Sequence, residues 1–253
     1  MNMNTQLPQR KPETEAKRLL TLANDQQITS RLLGGVAISI LYEENMASAL
    51  QREYKDLDFV CLRKDSARWS KMLEENGYES DVLFNSIHGY QRLLHFDRVN
   101  GKQLDTFVEE FAMCQSLELK SRLGLMEMTL APMDLLLTKL QIFEINDKDL
   151  IDVIALLLRF PVGQGSSDSL EVDRLRDIAG EHWGWHTTLS DNLAVVRNRI
   201  NTTDLPEDVK EAARSQVMVL TEILEQCPKS IKWKARSKVG RRLPWYDLPE
   251  EVE

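Results

Sequence analysis

The chain is short of the features that define several protein classes. Nowhere in its 253 residues is there a run of 18 apolar side chains, the length a helix needs to cross a bilayer. Residues Met1 to Lys17 are polar and lack the apolar stretch of a secretory signal. Cysteine is scarce: Cys61, Cys114 and Cys227 are far apart, odd in number and form no CxxC pair. They suit buried thiols in a reducing cytoplasm, not a disulfide frame or a zinc knuckle. There is no internal repeat and no long low-complexity tract. Positive charge is also in deficit, with a net of −8, which argues against a protein that coats nucleic acid with its whole surface. The deficit is uneven. Between Lys229 and Arg242 stand seven cations and no acid, leaving 25 cations against 40 acids elsewhere, a net of −15. An acidic body with one basic arm is the expected charge layout.

What is present suits a globular protein with a sizeable core: 42% apolar and 28% charged residues, at a length between one and two domains. After a loose N-terminus (1–12), the pattern turns helical at Glu13, with Leu19, Leu20, Leu22, Ala23 and Ile28 on one stripe. Leu32-Leu33-Gly34-Gly35 breaks regularity and opens a short apolar helix. Asp56 to Leu62 reads as a strand, and Asp65 as the cap of a helix from Ser66 to Glu75. Strands are expected at Tyr78–Phe84 and Tyr90–Phe96, and a third at Gln103–Val108 after an Asn100-Gly101 turn. From Pro132 onward the pattern is helical only: Pro132 to Asn146, Asp147 to Arg159, Leu170–Ala179, Thr187–Ile200, and a long helix after the Asp204 cap and Pro206. The Gly- and Ser-rich Pro161–Ser169 is the clearest loop. The expected domains are 13–128, 129–226 and a basic arm, 227–253.

One constellation carries chemistry. Asp56 and Asp58 are spaced i, i+2, which on a strand puts both carboxylates on one face. Their mutual repulsion is offset by a divalent metal, and hard cations such as Mg²⁺ take carboxylate oxygens while keeping water or phosphate in their other positions. Asp105, in the strand-like Gln103-Leu104-Asp105-Thr106-Phe107-Val108, would complete a two-metal site; Asp97 is the other strand-borne candidate. Gly34 and Gly35 offer backbone N–H groups and close approach to a polyphosphate at a helix N-terminus.

The combination resembles the nucleotidyltransferase superfamily, the DNA-polymerase-β-like fold. The match lies in Leu33-Gly34-Gly35-Val36-Ala37, Lys55-Asp56-Leu57-Asp58-Phe59-Val60 and Leu104-Asp105-Thr106-Phe107. Farther on, Ala131-Pro132-Met133-Asp134-Leu135-Leu136-Leu137-Thr138-Lys139-Leu140-Gln141, then Lys148-Asp149-Leu150-Ile151-Asp152, is similar to the branch of abortive-infection nucleotidyltransferase toxins of type IV toxin–antitoxin systems. The chain departs from the common family pattern in having Gly-Gly for Gly-Ser and a longer gap from Gly35 to Asp56. The likeness covers residues 13 to about 160.

The resemblance implies an α+β fold: a mixed β-sheet with flanking helices, then an α-helical C-terminal domain. It implies an enzyme that moves a nucleoside monophosphate from a nucleoside triphosphate to a hydroxyl on RNA, protein or a small molecule, releasing pyrophosphate. Asp56, Asp58 and Asp105 would be catalytic and hold two Mg²⁺ ions. Gly34 and Gly35 would seat the β- and γ-phosphates, and Lys139 would reach the triphosphate or base. Arg52, Lys148 and Asp149 are further nucleotide-binding candidates, although Lys148, Asp149 and Asp152 read equally well as helix caps and pairs, and Arg52 as a solvated loop charge. The toxin branch brings an antitoxin as candidate partner. The alternative is a nucleotide-binding or regulatory module without turnover. His182 and His186, at i, i+4 among Trp183 and Trp185, are expected to form an aromatic packing corner, not a metal pair. Trp245 is expected to be largely buried and to anchor the arm.

Overall fold

The computed structural model describes residues 7–42 and 46–248. The chain falls into two contact groups. One comprises Met1–Glu43, Arg52–Phe111 and Glu118–Leu130; the other comprises Glu44–Gln51, Ala112–Leu117 and Ala131–Glu253. The class is α+β, as expected.

The first group is built on a five-stranded mixed sheet. Its elements are α1 (Pro12–Asp25), β1 (Ser30–Leu33), α2 (Gly34–Tyr42), β2 (Leu57–Cys61), α3 (Ser66–Glu75), β3 (Glu79–Ser80), α4 (Val82–His88), β4 (Arg92–Asp97) and β5 (Lys102–Val108). The strand order is β1-β2-β5-β4-β3, with β2 and β5 parallel and the other neighbours antiparallel. Directly paired residues share a face, so the register sorts the side chains. One face carries Leu57, Phe59, Leu104, Thr106, Leu93 and His95. Helix α3 covers it: the Trp69 ring lies 5.0 Å from Phe59, and its indole N–H donates to Thr106 Oγ1 at 2.8 Å. The other face carries Asp58, Asp105, Leu94 and Arg92.

The expected strand at Tyr78–Phe84 is not there. Only Glu79–Ser80 pairs with β4, and the chain then turns into α4. The apolar Val82-Leu83-Phe84 reads as strand by composition, but Asp81 ends it. Its carboxylate accepts the Phe84 N–H at 2.9 Å, capping a helix, and Asn85 ties that helix to the Leu94 backbone. Asp65 does precede α3, yet its carboxylate accepts from Thr29 N–H rather than capping. Asp97 folds the β4–β5 turn by accepting from the N–H groups of Val99 and Asn100.

His95 is fully buried against α3. Its Nε2 lies 2.9 Å from Ser70 Oγ, while Nδ1 has no partner. Burial pushes the imidazole down to about 4. As pH falls below the ordinary histidine value of about 6.5, the unfolded chain takes up the proton first. Stability is therefore intact above that value and lost down through the folded pKa, by about 3 kcal/mol in all. Urea unfolding at pH 7 and about pH 4 should show this loss in the wild type and lack that component in His95→Gln. An equal loss in both proteins would assign it to other groups.

Two short strands, β6 (Glu110–Ala112) and β7 (Ser116–Glu118), follow. The second group holds α5 (Pro132–Leu140), α6 (Asp147–Arg159), the two-residue strands β8 (Val162–Gly163) and β9 (Leu170–Glu171), α7 (Val172–Glu181), α8 (Trp183–Thr202), α9 (Glu207–Gln226) and α10 (Ile231–Val239). Helix α5 is buried at every position but Lys139, and α6 from Asp149 to Leu157. The Asn146 side chain caps α6, accepting from Asp149 N–H. Pro206 rather than Asp204 precedes α9, and no side chain caps it.

The basic arm folds as α10 and the segment after it, docked on its own group. The Trp245 indole donates to Thr188 Oγ1 at 3.1 Å, Tyr246 stacks on Phe143 at 3.7 Å, and Arg241 pairs with Asp191 at 2.7 Å. His186 closes the aromatic corner, edge-on to Trp233. Among the described residues Lys232, Lys234, Lys238 and Arg242 have no carboxylate partner. Trp245 is more than half buried, packed edge-on to Trp183 and Phe143 with Arg241 over its ring. Trp245→Ala should still cost about 2 kcal/mol, below the 3–5 typical of a fully buried tryptophan. Arg241→Ala, a surface pair, should cost under about 1 kcal/mol. Chemical denaturation of both variants checks the order.

Candidate active site

The site grows from the end of β2. Gly34 opens α2 with φ +71, a left-handed conformation, and a Cβ built there would lie 2.3 Å from Asp58 Oδ2. Only glycine gives both the backbone angle and the room. Leu33 is paired with Asp58 across β1 and β2, which brings the helix start to that carboxylate. At Gly35 a Cβ would meet Arg52 Nη2 at 2.1 Å and Tyr54 at 2.6 Å. Arg52 lies with its guanidinium carbon 4.4 Å from the centre of the Tyr54 ring. Two glycines thus let a helix N-terminus, a carboxylate and an arginine approach one another, a setting that favours an anion bound beside the acids.

Asp58 and Asp105 are register partners on parallel neighbours β2 and β5. Their side chains leave the same face, about 4.8 Å apart at the backbone. Asp56 lies just outside β2 and is exposed. Its Oδ1 accepts the Gln103 N–H at 3.2 Å, which ties it to the start of β5. Asp105 is 5% exposed, and both its oxygens are engaged: Oδ1 accepts from Arg92 Nε at 2.7 Å and Oδ2 from Gln103 Nε2 at 2.7 Å. Sequence reading missed Arg92 and Gln103. Gln103 stood two residues before Asp105 on the same face, a signal within reach. Arg92 carried none, since its nearness depends on the β4–β5 register.

The donor set is all carboxylate oxygen and fits a hard divalent cation. Among the described residues no group of three His, Cys, Asp or Glu side chains is arranged to hold a metal ion. Both Asp105 oxygens are taken by Arg92 and Gln103, and the Asp56 carboxylate accepts the Gln103 backbone N–H. Asp56, Asp58 and Asp105 are the carboxylates whose chemistry suits such a cation.

The remaining candidates lie in the helical group. Lys139 Nζ is 2.6 Å from Asp149 Oδ1 and 3.0 Å from Asp152 Oδ2. Burial, the largest influence, pushes its pKa down, but Asp152 and Asp149 together outweigh it and the net shift is upward. Lys148 is exposed in the first turn of α6. The three cysteines are free and buried, and burial pushes the Cys61 thiol up to about 12. No described helix is long and apolar enough to cross a membrane.

No family model matches the chain, and no curated protein matches it. Among solved structures it is similar to the lincosamide antibiotic adenylyltransferase LnuA with lincomycin bound, at 17% identity and a TM-score of 0.42, over 58% of this chain and 98% of that one. It is also similar to an antigenic nucleotidyltransferase-like protein from Paracoccidioides brasiliensis, at 14% identity and a TM-score of 0.41, over 93% of this chain and 99% of that one.

Proposed function

We propose that the protein is a nucleotidyltransferase: it transfers a nucleoside monophosphate from a nucleoside triphosphate to an acceptor hydroxyl, and pyrophosphate leaves. The observation that carries the reading is the pairing of Asp58 with Asp105 on parallel strands, beside a glycine-opened helix N-terminus. The N–H groups of Gly34 and Gly35 would receive the β- and γ-phosphates, and Arg52 would neutralise charge next to them. Asp56, Asp58 and Asp105 would hold two Mg²⁺ ions, which when bound supply charge stabilisation on the phosphates and lower the pKa of the attacking hydroxyl. Asp105 would orient that hydroxyl and accept its proton. For Lys139, Lys148 and Asp149 a nucleotide role rests on the sequence resemblance alone, and Lys139 would have to leave two carboxylates to take it up. The toxin-like branch, an antitoxin partner and a cytoplasmic setting are parts of the same proposal; the three free cysteines support the last.

The experiment is incubation of the protein and Mg²⁺ with each labelled nucleoside triphosphate and, separately, total RNA, protein and metabolites. Label should move into one acceptor fraction, with pyrophosphate released in equal amount. A binding module without turnover is the second reading, favoured by the engagement of both Asp105 oxygens. Nucleotide binding with no transfer to any fraction would select it.

A further inference from the structure

Arg92 is placed with unusual care for a side chain beside a cluster of acids. It projects from β4 on the face that carries Asp58 and Asp105, and its Nε donates to Asp105 Oδ1 at 2.7 Å. The guanidinium is in reach of two ring faces, its central carbon 5.3 Å from the centre of Phe107 and 5.8 Å from that of Phe84. Phe107 is held in turn by Phe111 at 4.6 Å. Gln103 completes the arrangement. Its side-chain amide takes the second Asp105 oxygen, and its backbone N–H goes to Asp56. Asp105 itself is nearly closed to water.

A buried carboxylate beside a second carboxylate is costly without a cation. We propose that Arg92 is that cation in the metal-free protein: a positioning residue that neutralises Asp105 next to Asp58 and surrenders the carboxylate when a divalent ion enters. The inference rests on the nucleotidyl-transfer reading for the identity of that ion, but not for the charge pairing. Arg92 and the ion then compete for the same oxygen. The two aromatic rings keep the guanidinium near the site after release, where it meets the negative charge of a triphosphate. The protein thereby holds its third ligand oriented while withholding a complete metal cage until the ion enters.

Competition has a signature that a merely structural arginine lacks: removing it improves metal binding. The test measures Mn²⁺ affinity of the full-length protein by electron paramagnetic resonance, alongside melting without metal. Arg92→Met should bind Mn²⁺ at least about tenfold more tightly, because the same carboxylates no longer carry a counter-charge. Arg92→Lys should return toward wild-type affinity, and Gln103→Leu, which removes a neutral donor, should shift it less than Arg92→Met does. Without metal, Arg92→Met should melt lower, and adding Asp105→Asn should recover part of the loss. Unchanged or weaker Mn²⁺ binding in a folded Arg92→Met would overturn the proposal and leave the wild-type metal site standing. So would a double variant that melts no higher than the single one. A wild type that binds no Mn²⁺ would overturn the metal reading itself, and the competition with it.

Discussion

Asp58→Asn should lose more than about 100-fold in nucleotidyl transfer, beyond the 10–100-fold typical when a residue behind a metal ligand is lost. Its melting temperature should stay within about 3 °C of the wild type. The change keeps the volume of the side chain and removes one negative charge from a pair that the β2–β5 register forces together. Repulsion with Asp105 falls, so the metal-free fold has no reason to weaken from that source. Chemistry has every reason to fail, since an amide is a poorer ligand for a hard cation and carries no charge to balance it. Asp97→Asn is the contrasting control. Asp97 is buried, and its oxygens accept from Val99, Asn100 and the Asn100 amide in the β4–β5 turn. That variant should lose stability and keep its turnover per folded molecule. Label transfer and thermal melting on the two proteins give four numbers, and full activity in Asp58→Asn would remove the mechanism.

Parts of this site were legible without a structure because their signals are local. The DxD spacing, the paired glycines and the strand around Asp105 each announce themselves within six residues, and α6 runs from Asp147 to Arg159 as its apolar period demands. The illegible parts depend on register. Arg92 reaches Asp105 because Leu94 pairs with it across β4 and β5, a fact of sheet alignment that no spacing encodes. Asp56 was expected inside a strand, yet β2 begins at Leu57 and the Asp56 carboxylate turns to the Gln103 backbone instead. Helix α4 was hidden by β-like composition, which a single capping carboxylate at Asp81 overrides. Lys139 shows the same limit from the other side. Its helix was plain, but its partners lie ten and thirteen residues on, across the turn into α6.

Those partners decide what Lys139 does. Its side chain is 12% exposed, and the ammonium pairs with Asp149 and Asp152, whose side chains are 11% and 2% exposed. Remove it by Lys139→Met and two carboxylates three residues apart on α6 face each other with that cation gone and little water to replace it. Breaking a buried ion pair from one side costs about 3–5 kcal/mol, which in a protein of this size is a melting shift of roughly 10 °C. The pair leaves no trace near neutral pH. A lysine pKa raised in the folded state contributes stability fully below the ordinary value of about 10.4, and loses it only as pH climbs through the folded value. The loss on mutation should therefore be the same at pH 6 and pH 8. Replacing all three, with Asp149→Asn and Asp152→Asn beside Lys139→Met, should recover much of it, because no uncompensated charge is then left inside. Nucleotide affinity separates the two roles. If Lys139 serves the α5–α6 contact, the folded fraction of Lys139→Met binds nucleoside triphosphate as the wild type does. If it melts like the wild type but binds nucleotide far more weakly, the ammonium works on the triphosphate and the two aspartates only park it.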